Sequence, residues 1–148
     1  MIEVVIFTAI VGVFFVIAAS VMTTSMVNMK VNEHKILASH YARQLEEWFR
    51  SERDNDWDIF ITNAKNMNSK CFNNLTLDSS SWAGTYCGMT GLNPPIFQRQ
   101  VTLATAAGCA APPSNYCSEM DVEITVSWIE FGRTYSVKSV TLFSVLEQ

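Results

Sequence analysis

Four cysteines, two histidines, a short acidic cluster and one isolated glutamate are the side chains here whose type and spacing could do chemistry. Cys71, Cys87, Cys109 and Cys117 all lie in turn-rich sequence. Thiols so placed either pair with one another or hold zinc. Zinc favours C-x-x-C spacing or a neighbouring histidine, and neither accompanies these four. Four cysteines allow three pairings. We expect the local one, Cys71–Cys87 with Cys109–Cys117, because each bridge then closes a short loop. The second would staple residues 110–116 into a fixed excursion between two strands. Each bridge is worth about 2–4 kcal/mol, mainly by restricting the unfolded chain. Both require an oxidising compartment, which places this part of the chain outside the cytoplasm.

The remaining candidates argue against catalysis. His34 and His40 are six residues apart, on opposed faces of a helix. Asp54, Asp56 and Asp58 could suggest calcium, but the D-x-D-x-D-G loop with its distant glutamate is missing. These acids suit helix capping instead. The sequence has no nucleophile elbow, phosphate-binding glycine loop, H-E-x-x-H or dinucleotide turn. We therefore expect no enzyme, no catalytic residue, no cofactor and no metal. Asn74-Leu75-Thr76 is a formal N-glycosylation triplet, and Ser79-Ser80-Ser81 a stretch that could carry O-linked sugar.

Glu3 stands apart. No other charge occurs before Lys30, and Val4 to Met22 is 19 residues of uncharged sequence, twelve of them Val, Ile or Phe. At about 1.5 Å per residue this crosses a hydrocarbon core of about 30 Å. Those twelve residues contribute roughly −4 to −7 kcal/mol towards insertion. A carboxylate at the lip of such a helix must find water or a cation. In the headgroup layer it is a passive feature. Between staggered, side-by-side helices it can meet the free amine of another subunit's N-terminus and set an axial register. The sequence accommodates both.

These groups are positioned by four regions. The helix continues past the span: no Gly or Pro interrupts Asn28 to Asp54, and Leu37, Tyr41, Leu45, Trp48 and Phe49 recur at spacings of three and four. That stripe needs a surface to pack on, and the chain's own sheet supplies it. Unbroken from Met1 to Arg53, the helix would measure about 80 Å. Ile59, Phe60, Ala64 and Met67 give a short second helix a small apolar face. Residues 66–95 are rich in Asn, Ser and Gly and read as loop, tethered by Trp82, Tyr86 and Leu92. The last third alternates with period two. Phe97, Arg99, Val101 and Leu103 form one run, and Met120, Val122, Ile124, Val126 and Trp128 a second. Tyr135, Val137, Val140, Leu142 and Val145 are the apolar positions of a third. Glu130-Phe131-Gly132-Arg133 reads as a hairpin connection.

Met1-Ile2-Glu3-Val4-Val5-Ile6, with Gly12 nine residues after the acid, resembles the mature N-terminus of type IV pilins and the related pseudopilins. Residues 122–128 with 132–137, and Ala42-Arg43-Gln44-Leu45-Glu46-Glu47 followed by Trp57, look like minor pilins of the pilus-modification type. Together these stretches cover about half of the chain. The start departs from the family pattern. An aromatic first residue and two further positions are expected ahead of the last apolar residue and the glutamate, and a leader ahead of those. The helix-breaking proline common in major pilins is missing too, the first proline being Pro94, so any unwinding would fall near Gly12 or Thr23-Thr24-Ser25. The resemblance implies a processed, usually methylated N-terminus and a helix that forms a filament core, with Met1, Glu3 and Gly12 at subunit contacts.

The expectation is therefore an α+β chain of 148 residues. A transmembrane or filament-core helix occupies residues 1–27. A globular domain over residues 28–148 packs Leu37, Tyr41, Leu45 and Trp48 on a C-terminal antiparallel sheet of three or four strands. With net charge −4 and no basic patch, nucleic acid is not an expected partner. By resemblance the partners are other pilin subunits and the pilus assembly machinery. The chain would sit in the inner membrane before assembly and in an extracellular filament, or a periplasmic pseudopilus, afterwards. The alternatives are a type II secretion pseudopilin and a signal-anchored extracytoplasmic binding domain.

Overall fold

The computed structural model describes residues 2–65, 69–85, 87–88, 91–105 and 118–144. Its elements are α1 (Ile2–Asn55), α2 (Trp57–Lys65), β1 (Ser69–Cys71), a 3-10 turn (Ser79–Ala83), β2 (Phe97–Thr105), β3 (Glu119–Glu130) and β4 (Arg133–Ser144). The class is α+β, as expected: a long N-terminal helix and a four-stranded, wholly antiparallel sheet in the order β1-β2-β3-β4. The helix passes Gly12 and Thr23-Thr24-Ser25 without a break.

The chain divides into two compact units, Met1–Ile36 and Leu37–Gln148. The division expected after residue 27 falls inside the first. The first unit is helix throughout its described residues.

In the second unit the stripe on α1 does what its spacing predicts. Ala38, Tyr41, Ala42, Leu45 and Phe49 are buried, with Leu37 and Trp48 partly so, against the inner face of the sheet. That face is built by strict alternation. Met120, Val122, Ile124, Val126 and Trp128 of β3 point inward between Asp121, Glu123, Thr125 and Ser127. β2 answers in register, with Phe97 opposite Trp128 and Val101 opposite Ile124. Aromatic rings fill the far end, where Phe49, Phe60, Phe72 and Trp82 meet edge to face. Such pairs add about 0.5–1.5 kcal/mol each beyond area burial.

Two expectations change here. Val140 and Leu142 of β4 lie on the outer face, 62% and 54% exposed, and the inward place belongs to Phe143. Their parity is fixed by pairing: Val140 opposes Glu123 and Leu142 opposes Asp121, both outward residues. In α2 the inward residue is Ile61, beside Phe60 and Ala64, while Ile59 is exposed. Asp56 explains that phase. Its carboxylate accepts from the Ile59 amide at 2.9 Å and its carbonyl from Phe60 at 3.0 Å, which fixes the first turn. Met67, Tyr86 and Val145 lie outside the described residues.

The β3–β4 hairpin closes at Glu130 opposite Arg133, through two residues with positive φ, Phe131 (50°) and Gly132 (74°). Both signs are those of the turn that matches the twist of paired strands.

Candidate functional site: the exposed apolar helix

Among its described residues, the first unit contributes nothing to the hydrophobic core. Its large apolar residues, Phe7, Ile10, Phe14, Phe15 and Ile17 among them, are exposed around the whole helix rather than along one stripe. Each would gain about 1.5–3 kcal/mol on leaving water. Val and Ile are mediocre helix formers in water, but an apolar medium removes the competitor, since only an internally bonded backbone is then satisfied. The side chains conform to the same rule. The hydroxyls of Thr8, Thr23 and Thr24 donate back to the carbonyls of Val5, Ala19 and Ser20 at 2.9–3.0 Å. The segment is long and apolar enough to cross a membrane.

Two of the residues expected at subunit contacts are placed on this surface, and Met1 lies outside the described residues. Glu3 is exposed in the first turn, where a negative charge complements the N-terminal end of the helix dipole. Gly12 lies mid-helix and exposed, and a Cβ added there would meet nothing within 4 Å. Glycine inside a helix costs about 1 kcal/mol relative to alanine. The chain's own packing gives no return for it, whereas a bare backbone lets another helix approach closely.

The second unit positions the other candidates. Cys71, buried on β1, is bonded to Cys87, exposed, across 16 residues, with Cα atoms 5.2 Å apart. Loops of this size are stabilised by about 3 kcal/mol. Cys109 and Cys117 lie outside the described residues, and so does their expected bridge. Within the stapled stretch, Trp82 is buried and donates its indole N–H to Glu52 at 2.8 Å. Asp78 caps the 3-10 turn, accepting from the Ser80 hydroxyl at 2.6 Å and the Ser80 amide at 3.0 Å. The Ser80 hydroxyl is the main reason the Asp78 carboxyl is held below its ordinary value. Asn74, Leu75 and Thr76 are exposed, as are Ser79 and Ser80, whereas Ser81 is buried in the cap.

Gly91 adopts φ 100° where a Cβ would sit 2.4 Å from the Asn73 carbonyl oxygen, so only glycine fits. Close by, the Tyr41 hydroxyl donates to the Asn93 carbonyl.

The residue that sequence reasoning placed inward without assigning it a task is Arg99. It is completely buried on β2 and joins three segments. Nε donates to Phe72 O (2.6 Å), one terminal nitrogen to Tyr41 O (3.1 Å) and Gln44 Oε1 (3.3 Å), the other to Asn74 O (2.9 Å). Burial pushes the guanidinium down to about 10, with Tyr41 opposing, so it stays charged at neutral pH. Neutral oxygens satisfy it. The only advance signal was a charge at an inward position of an alternating strand.

The acidic cluster resolves into local roles: Asp54 pairs with Arg53 (2.6 Å) and Asp56 caps α2. His34 is buried and His40 exposed. Among the described residues no three His, Cys, Asp or Glu side chains gather as a metal site.

Fold and surface together define a class: an α+β domain whose first helix extends into a bare apolar segment of membrane-crossing length. No known protein family, curated protein or solved structure matches the chain.

Proposed function

We propose that this chain is a membrane-anchored structural subunit that polymerises through its N-terminal helix, in the manner of type IV pilins. The observation that carries the reading is α1 itself. One helix is apolar and exposed on every side over its first half, yet locked into a globular core from Leu37 onward. Such a segment is at home in lipid or among copies of itself. On assembly it exchanges lipid tails for neighbouring apolar helices, so transfer out of the membrane carries little hydrophobic cost. Gly12 supplies a close-approach point. Glu3 meets the N-terminal amine of a neighbouring subunit and fixes the stagger. The sheet and the stapled loop form the filament surface, and the work is mechanical rather than catalytic. The Cys71–Cys87 bridge supports an extracytoplasmic domain.

The deciding experiment is intact-mass analysis, without reductant, of material sheared from the cell surface. The reading expects abundant chain there, with a methylated N-terminus and a mass lower by two hydrogens per disulfide. Chain confined to the membrane fraction would overturn it in favour of a periplasmic pseudopilus or a lone anchored domain.

A further inference from the structure

We propose that the tip of the β3–β4 hairpin is a lipid-contacting element, in which Ile129 and Phe131 enter the boundary between headgroups and acyl chains and Arg133 meets lipid phosphates. The proposal rests on the membrane-anchor part of the reading above, and not on filament assembly.

Phe131 is the wrong residue for its turn. The first central position of this turn demands positive φ, which Asn, Asp or Gly take at low cost. A bulky L residue there costs about 1–2 kcal/mol, and Phe131 sits at φ 50°. Its side chain recovers little of that within the chain, because it is 63% exposed. Ile129, 50% exposed, repeats the anomaly two residues earlier. The outer face next to them is polar, with Thr125 and Ser127 on β3 and Thr134 and Ser136 on β4, and the exposed Val140 and Leu142 lie farther along β4. At the tip, strain at Phe131 and unburied apolar surface at Phe131 and Ile129 come together.

That tip lies at a defined end of the second unit. Tyr41 packs on Phe97 (5.6 Å between centroids), Phe97 on Trp128 (5.8 Å), and Trp128 stacks on Tyr135 (5.6 Å), so the hairpin end is level with the start of the buried helix. At the opposite end Arg53 lies over Phe143 (5.4 Å). Only residues 30–36 separate Leu37 from the uncharged segment that ends at Met29. Seven residues reach at most about 25 Å, whatever their conformation. The chain thus enters the second unit at its hairpin end, and not at its Phe143 end.

The chemistry suits an interface. Aromatic and branched side chains bury apolar surface at about 25 cal/mol per Å², and an adjacent guanidinium binds phosphate oxygens as a fork while its stem follows the apolar layer. Arg133 is exposed beside Phe131, and Glu130, the opposing charge, is half-buried and engaged.

The test is full-length chain carrying Phe131→Trp, reconstituted in vesicles of phosphatidylglycerol and phosphatidylcholine, the latter brominated near the headgroup or deep in the acyl chain. Emission of wild type is subtracted. The proposal expects the difference signal to be blue-shifted, and lost with shallow bromines more than with deep ones. A red difference signal, indifferent to bromine and quenched by aqueous iodide, would overturn it. So would a signal protected from both quenchers, which would mean burial against another copy. Failure of the chain to float with vesicles would overturn the anchor reading itself, and is scored separately. Should Phe131→Trp not fold, Ile129→Trp gives the same readout.

Discussion

The Arg99 guanidinium of the central sheet donates to the main-chain oxygen of Tyr41 on α1 at 3.1 Å, so a charge with no carboxylate partner among the described residues fastens the helix to the sheet. Removing it takes a donor from the carbonyls of Tyr41, Phe72 and Asn74. Arg99→Met should destabilise the domain by about 3–5 kcal/mol. Arg99→Lys, a point charge in place of a fork, should fail to restore it. Urea unfolding of the micelle-bound chain reads this, and a loss under about 1 kcal/mol for Arg99→Met would show that the network is dispensable.

Phe131→Asn should act in the other direction. Asparagine tolerates positive φ, so the turn is kept and about 1 kcal/mol of strain is relieved. The thermal midpoint of the detergent-solubilised chain should rise. A fall would mean that the aromatic side chain is held by contacts the fold needs.

Asp78 gives a pH signature with a definite sign. Its carboxyl is held below the ordinary 3.8, first by the Ser80 hydroxyl. A folded-state value below the unfolded one means the stabilisation is complete above the unfolded value and is lost as pH falls through the folded one. The Ser80 amide resonance should therefore titrate with a midpoint below 3.8, and Asp78→Asn should abolish that titration. A midpoint at or above 3.8 would contradict the capping role.

At the other end of the chain, Glu3→Ala should leave membrane insertion intact and impair incorporation into sheared filaments. Gly12→Ala should be neutral or favourable for the isolated chain, since a Cβ there meets nothing. Gly12→Leu should block close approach between subunits. Wild-type amounts of Glu3→Ala or Gly12→Leu chain in the sheared fraction would remove that residue from assembly.

Where periodicity was long, the sequence was readable. The stripe from Leu37 to Phe49 and the alternation from Met120 to Trp128 predict the two faces that meet, and the Glu130–Arg133 connection is a two-residue turn. Where periodicity was short or diluted, it was not. β1 is three residues inside Asn- and Ser-rich sequence, too few to alternate, and it exists because the Cys71 segment pairs with Val101 and its neighbours. On β4 the inward positions include Ser139 and Thr141, so the apolar signal drifted to Val140 and Leu142 on the wrong face. The apolar segment was plain from composition. The self-satisfied hydroxyls and the open space at Gly12 were not legible, because each depends on what surrounds a side chain and not on its identity.

The bond between Glu46 on α1 and Ser139 on β4 joins residues 93 positions apart. Synthesis runs from the N-terminus, so the ribosome delivers Leu45 and Phe49 long before their cover exists. Phe143, against Phe60 and beneath Arg53, is among the last core residues to emerge. During that interval the chain carries two unsatisfied apolar surfaces, and on the membrane-anchor reading only the first can be discharged at once, into lipid. The second must wait for the sheet, and contacts of such sequence separation form slowly. A transcript cut short before β4 would leave the helix stripe half uncovered, a species prone to association and to removal by proteases. Closure of the described core over Leu45 and Phe49 therefore waits on β4.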